Sequence, residues 1–114
     1  MTRLSIAVDR HSGYSVVSLD GELDRSTRQA LSLSLDGLLD REEFRLVVDT
    51  GQLLFCDSRG LWPLIAGQLE AEGAGGALRL IGVHGALARL LTVRHLVDRF
   101  PPYETLAQAA RWRR

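Results

Sequence analysis

Apolar and polar residues alternate where the chain begins: Leu4, Ile6 and Val8 interleave with Ser5, Ala7 and Asp9. A period of two is that of a half-buried strand. His11-Ser12-Gly13 supplies a turn into a second apolar run, Tyr14 to Leu19, which predicts an opening hairpin. After Asp20-Gly21-Glu22-Leu23-Asp24 the period changes. Leu31, Leu35, Leu38 and Leu39 stand at i, i+4, i+7 and i+8, the stripe of an amphipathic helix. Two starts for that helix are open, a capping box of Ser26 with Gln29 or a cap by Asp24.

Phe44 to Asp49 is short, valine-rich and bounded by charge, the signature of a buried strand, and Leu53-Leu54-Phe55-Cys56 carries apolar character on to Asp57-Ser58. A second helix follows, with Leu61, Leu64, Ile65 and Leu69 on one face and a stop at Gly73 and the loop Gly75-Gly76. Ala77 to Ile81 reads as a strand, and Val83, Leu87, Leu90 and Leu91 as a third helix. Leu96-Val97 begins a short last strand, and Pro101-Pro102 breaks the chain before a terminal helix around Leu106 and Ala109.

The order β-β-α-β-α-β-α-β-α places the chain in the α/β class: a mixed, mostly parallel sheet of about five strands with four helices on right-handed crossovers. At 114 residues, positions 1–114 are expected to form a single domain around one core. The 14 basic and 14 acidic side chains leave a formal net charge of zero, so no global field draws the protein to nucleic acid or an anionic membrane. Partners must be recognised locally. The N-terminus lacks an apolar targeting segment and no stretch approaches the ~18 apolar residues of a membrane helix, which predicts a cytoplasmic protein with no direct membrane insertion.

Composition also narrows the chemistry. The single cysteine, Cys56, cannot form an internal disulfide, and its neighbours Leu54 and Phe55 mark it as a small buried hydrophobe. His11, His84 and His95 are scattered without metal-ligand spacing, and the glycines from Gly73 to Gly76 lack the lysine and hydroxyl residue of a phosphate-binding loop, so no metal and no cofactor is expected. Asp24 and Asp57 have no accompanying nucleophile or base, which argues against an enzyme and leaves no catalytic residue to assign. Arg111-Trp112-Arg113-Arg114 is read as a frayed, solvated tail and not as a nucleic-acid contact.

One junction stands out. Asp57-Ser58-Arg59-Gly60 lies between a strand and a helix, where loops leave the carboxyl ends of strands and backbone N–H groups of the helix start favour negative charge. A phosphate on Ser58 is compatible with such a place.

In this order and spacing the motifs resemble the STAS domain and, within it, the bacterial anti-sigma factor antagonists. The resemblance is carried by Gly21-Glu22-Leu23-Asp24 with Thr27, by Leu46-Val47-Val48-Asp49 leading to Phe55-Cys56-Asp57-Ser58-Arg59-Gly60-Leu61, by the pattern from Val83 to Leu91, and by the closing stretch Phe100 to Ala110. It implies a phosphorylation switch. An anti-sigma factor that is also an ATP-dependent serine kinase would bind the unmodified protein, release its sigma factor, and let go once Ser58 is phosphorylated; a serine phosphatase would reset the cycle. The resemblance makes Ser58 the phosphoacceptor and Asp24, Asp57, Ser58, Arg59, Gly60 and Trp62 the partner-binding surface of a monomer or weak dimer.

Two places depart from the family pattern, Arg59 and the pair Trp62-Pro63. Arg59 stands where phosphorylated members carry a small hydroxyl residue; a cation in the first helical turn costs about 0.3 to 1 kcal/mol against the dipole. It can pair with a phosphate on Ser58, with Asp57 or with Asp24. Pro63 removes a donor and crowds the carbonyl of Arg59, which predicts a distorted or late first turn. Trp62 then either turns outward as an interface anchor or packs over a neighbouring helix. These departures keep a second function open, a STAS scaffold that is never phosphorylated, within a sensory assembly or as a subunit of a lipid-transport complex.

Overall fold

The computed structural model describes residues 3–112. Strand β1 (Leu4–His11) pairs antiparallel with β2 (Tyr14–Leu23), from Leu4 opposite Gly21 to His11 opposite Tyr14. Gly13, at φ +90°, makes the turn between them in a conformation that side chains resist. β2 runs parallel to β3 (Arg45–Cys56), and β3 parallel to β4 (Ala77–Ile81), giving the order β1-β2-β3-β4. Helices α1 (Arg28–Asp40), α2 (Ser58–Gly73), α3 (Gly85–Val93) and α4 (Leu106–Ala109) complete the fold.

Among the described residues the sheet has four strands, not five. Leu96-Val97 lies in turns after α3: His95 takes φ +58° and the Leu96 N–H donates back to the Leu91 carbonyl at 2.8 Å, closing the helix instead of starting a strand. Pro101 and Pro102 have no N–H to give to a ladder. What remains of the expected edge is a single parallel bridge between Tyr103 and Ile81.

β2 and β3 both run further than the alternation suggests, to Leu23 and Cys56, which are partners in the parallel register. Register shifts between Ser18 and Asp20 and between Gly21 and Glu22 absorb the mismatch along the way. The loops that follow therefore leave the sheet side by side, one beginning at Asp24 and the other at Asp57.

The main core lies between one sheet face and the helices. Val17, Leu19, Leu46, Val48, Leu78 and Leu80 meet Leu31 and Leu35 of α1, Leu61 and Leu64 of α2, and Leu87 and Leu91 of α3. The stripe of α2 is rotated from its expected face: Ile65 is half-buried and Leu69 exposed, while Gly67, Gln68 and Ala71 face inward. A Cβ on Gly67 would stand 3.1 Å from both Leu35 and Leu78, so α2 approaches through small residues. Gln68 is satisfied there by Arg99, accepting from its guanidinium at 3.0 Å and donating to its carbonyl.

A smaller cluster covers the opposite face, where Val16, Val47 and Ile81 pack with Ala109, Tyr103, Leu106 and Trp112. The Arg79 guanidinium lies 4.2 Å from the Trp112 ring and 5.2 Å from the Tyr103 ring, and donates to the carbonyls of Ala109 and Arg111. The expected solvated tail is thus docked as far as Trp112, and its remainder, Arg113 and Arg114, lies outside the described residues.

Candidate functional site

Asp57 caps α2. Its backbone is extended and its carboxylate accepts the N–H groups of Arg59 and Gly60 at 3.0 and 2.9 Å. The Leu61 N–H reaches the Asp57 carbonyl at 3.2 Å, so the helix starts at Ser58 in spite of Pro63, and the predicted late start is not found. The Arg59, Gly60 and Leu61 donors are all satisfied by Asp57, and Pro63, buried in the second turn, removes only the bond that the Arg59 carbonyl would have accepted.

The first turn of α2 rests on the end of β2. The Asp57 N–H donates to the Leu23 carbonyl at 3.2 Å, and Gly60 lies so close to that carbonyl that a side chain would overlap it. Gly60 is thus a spacer between helix and strand.

Asp24 occupies the neighbouring loop and is buried. One carboxylate oxygen accepts from the Ser26 N–H at 2.9 Å, the Ser26 hydroxyl at 2.7 Å and the Thr27 N–H at 3.2 Å. The other takes the Arg3 guanidinium at 2.5 Å. Asp24, and not a Ser26–Gln29 capping box, therefore organises the turn into α1, while Thr27 ties that turn to the Glu22 carbonyl at 2.8 Å. The Ser26 hydroxyl, helped by the Ser26 N–H, the Arg3 charge and the Thr27 N–H, holds the Asp24 carboxyl below its ordinary range against the opposing effect of burial. Arg3 is held protonated by its bond to Glu22 and by the charges of Asp24 and Glu22.

Arg3 and Arg94 are the site residues that the sequence reading misses. For Arg3 a signal exists: extending the hairpin register one residue beyond Leu4 and Gly21 places it across from Glu22, whose N–H donates to its carbonyl at 2.8 Å. Arg94, at the C-terminal end of α3, donates to the exposed Ser58 hydroxyl at 2.8 Å, a contact across 36 residues of sequence with no local mark. Arg59 forms no ion pair with Asp24 or Asp57, whose carboxylates are taken by Arg3 and by backbone N–H groups.

Arg3, Asp24, Arg25, Ser26, Phe55 and Asp57 line an open cleft of about 350 Å³ between the two loops. Apolar side chains near Asp57 in sequence are exposed: Leu54 is 77% exposed, Phe55, which lines the cleft, 44% and Trp62 58%. Trp62 has therefore turned outward. Cys56 is buried as expected, its thiol pushed up to about 12 by burial and by the negative charge of Asp57, but its neighbours Leu54 and Phe55 are not. No group of three or more metal-ligating side chains is assembled among the described residues. His11 meets Asp9 at 3.1 Å and the His84 ring meets the Gly51 carbonyl at 3.1 Å, away from both site aspartates.

The family model described as "Mlab, STAS domain" matches residues 6–98. The chain belongs to the STAS domain family. This STAS domain is 28% identical over 107 residues to an anti-sigma F factor antagonist of Paenibacillus polymyxa, covering 93% of this chain and 92% of that one. Its fold matches the crystal structure of an anti-sigma factor antagonist from Mycobacterium paratuberculosis with a TM-score of 0.83 at 30% identity, over 93% of this chain and 90% of the other. The Bacillus cell fate determinant SpoIIAA in its phosphorylated form aligns with a TM-score of 0.73 at 17% identity, over 92% and 96% of the two chains, a likeness of fold alone. No helix among the described residues of the STAS domain is long and apolar enough to cross a membrane.

Proposed function

We propose that this STAS domain is an anti-sigma factor antagonist: it binds an anti-sigma factor with serine kinase activity through the Asp24 and Asp57 loops and is switched off by phosphorylation of Ser58, thereby regulating sigma-factor-dependent transcription. The relatives named anti-sigma factor antagonist support the role. The observation that carries the switch is the exposed Ser58 hydroxyl at the first position of α2, directly after its capping aspartate.

Phosphorylation adds about −1.5 to −2 charges and three acceptor oxygens, which the start of a helix tolerates. The effect then falls on the interface. A doubly charged group pressed against a partner beside Asp57 and Asp24 suffers desolvation and like-charge repulsion of a few kcal/mol, or about a hundredfold in affinity. The domain acts by binding and not as an enzyme, in the cytoplasm, as a monomer or weak dimer, with a serine phosphatase restoring the hydroxyl. Incubation with ATP and a cognate anti-sigma factor serine kinase, followed by mass spectrometry, tests this: modification at Ser58 is expected, and modification elsewhere instead would sink the assignment.

A second reading, an unphosphorylated STAS scaffold in a sensory assembly or a lipid-transport complex, is favoured by the bulk and charge of Arg59 beside Ser58. Ser58→Asp and Ser58→Ala separate the two. The switch requires that the aspartate weaken partner binding while the alanine does not; equal binding by both leaves the scaffold.

A further inference from the structure

We infer that Arg94 is the intramolecular receptor for the phosphate on Ser58, tying the modified start of α2 to the end of α3. This rests on the phosphorylation of Ser58 proposed above. The Arg94 guanidinium already stands 2.8 Å from Ser58 Oγ and donates to it. Its backbone is fixed, because the Arg94 N–H closes α3 onto the Leu90 carbonyl at 2.9 Å. Its charge is uncommitted: the acidic side chains paired among the described residues have Arg3, Arg10 or His11 as their cations. A guanidinium has five N–H donors in a planar fork suited to phosphate, and Ser58 occupies one.

Phosphorylation would convert this hydrogen bond from a cation to a neutral hydroxyl into an ion pair. The Ser58 Oγ–phosphorus bond forms as the bond from the γ-phosphorus of ATP to its bridging oxygen breaks; ADP departs and the hydroxyl proton passes to a base of the kinase. Because Ser58 Oγ accepts from Arg94, its own proton remains free for that base. The new terminal oxygens extend from the atom that Arg94 already touches, so at least one meets the guanidinium without movement of the backbone. Arg94 then touches the phosphate, and Asp57 and Arg59 are its charged neighbours along the chain. Arg94 and Arg59 favour its dianion, and Asp57, with its carboxylate held by the N–H groups of Arg59 and Gly60, opposes it.

The test does not need the kinase. Phosphoserine is installed at position 58 by genetic code expansion, and its second ionisation is followed by phosphorus-31 NMR in the parent, Arg94→Gln, Arg94→Lys and Arg59→Gln proteins. A cation bound to the phosphate lowers the midpoint, so the parent should titrate about half a pH unit or more below Arg94→Gln, with Arg94→Lys between them. Arg94 is exposed, so the variants should fold, and unchanged melting of their unphosphorylated forms verifies it. Equal midpoints in the parent and Arg94→Gln overturn the inference, as does a rise confined to Arg59→Gln. Failure of the kinase to modify Ser58 is a separate result, which removes the switch but leaves this chemistry measurable.

Discussion

Gly60 stands against Leu23: a Cβ built on Gly60 would lie 2.7 Å from the Leu23 carbonyl carbon and 2.9 Å from its Cγ. The same Leu23 carbonyl receives the Asp57 N–H at 3.2 Å. Together these contacts press the first turn of α2 onto the end of β2 and set the Asp57 loop beside the Asp24 loop. Gly60→Ala should therefore destabilise the fold by about 1–3 kcal/mol in urea unfolding, since relief requires backbone to move. Gly37→Ala is the control. Nothing lies within 4 Å of a Cβ at this exposed position inside α1, and the substitution should stabilise by about 0.5–1 kcal/mol.

Asp57 serves α2 through two N–H bonds and leaves Ser58 outside them. Asp57→Ala should lower stability by about 0.5–2 kcal/mol, read as a fall in melting temperature, while Asp57→Asn should keep most of it because an amide oxygen also caps. A matching loss in both variants would place the contribution in the negative charge and not in the hydrogen bonds.

The parts of this architecture that are legible in sequence are local. Leu31, Leu35, Leu38 and Leu39 are all buried on α1, as their spacing predicts, and the Asp57 cap follows from an acid directly before a helical stripe. Other features depend on distant chain. Leu69 is exposed because Gly67 brings α2 close to Leu35 and Leu78, a choice made by residues outside the helix. Arg3 meets Asp24 across 21 residues and is reached only through the hairpin register, and Arg94 meets Ser58 across 36 with nothing in the sequence around its partner to mark it. The fifth strand fails for local reasons, the Leu96 N–H that closes α3 onto Leu91 and the two prolines that follow.

Asp24 makes the fold sensitive to acid. Its carboxyl is held below the ordinary range, first by the Ser26 hydroxyl, and a depressed native value means that the unfolded chain binds the proton more readily. The resulting stability is fully present above about pH 4, the ordinary carboxylate value, and is lost as pH falls through the lower native value. Glu43 adds in the same direction, depressed first by the Ser15 hydroxyl and then by Arg10. Urea midpoints measured at successive pH values from neutral into this window should fall for the parent. Asp24→Asn should show a shallower fall, with Glu43 supplying the remainder. An unchanged slope would mean that Asp24 titrates alike in both states.

Leu54, Phe55 and Trp62 expose apolar surface before and after Asp57-Ser58 in the chain. Aromatic side chains anchored at the centre of an interface commonly contribute 2 kcal/mol or more to binding, roughly thirtyfold in affinity. Phe55→Ala and Trp62→Ala should each weaken capture of the proposed anti-sigma partner by about tenfold or more in calorimetric titration while leaving the melting temperature nearly unchanged. Leu33→Ala, at a 64% exposed position in the second turn of α1, supplies the comparison: it should leave affinity unaltered. The pairing of lost affinity with retained stability is what separates a docking surface from a strained fold, because a core residue such as Leu64 would lose both. If all three variants bind as the parent does, recognition rests on the polar cleft between Asp24 and Asp57 and the apolar flanks are bystanders.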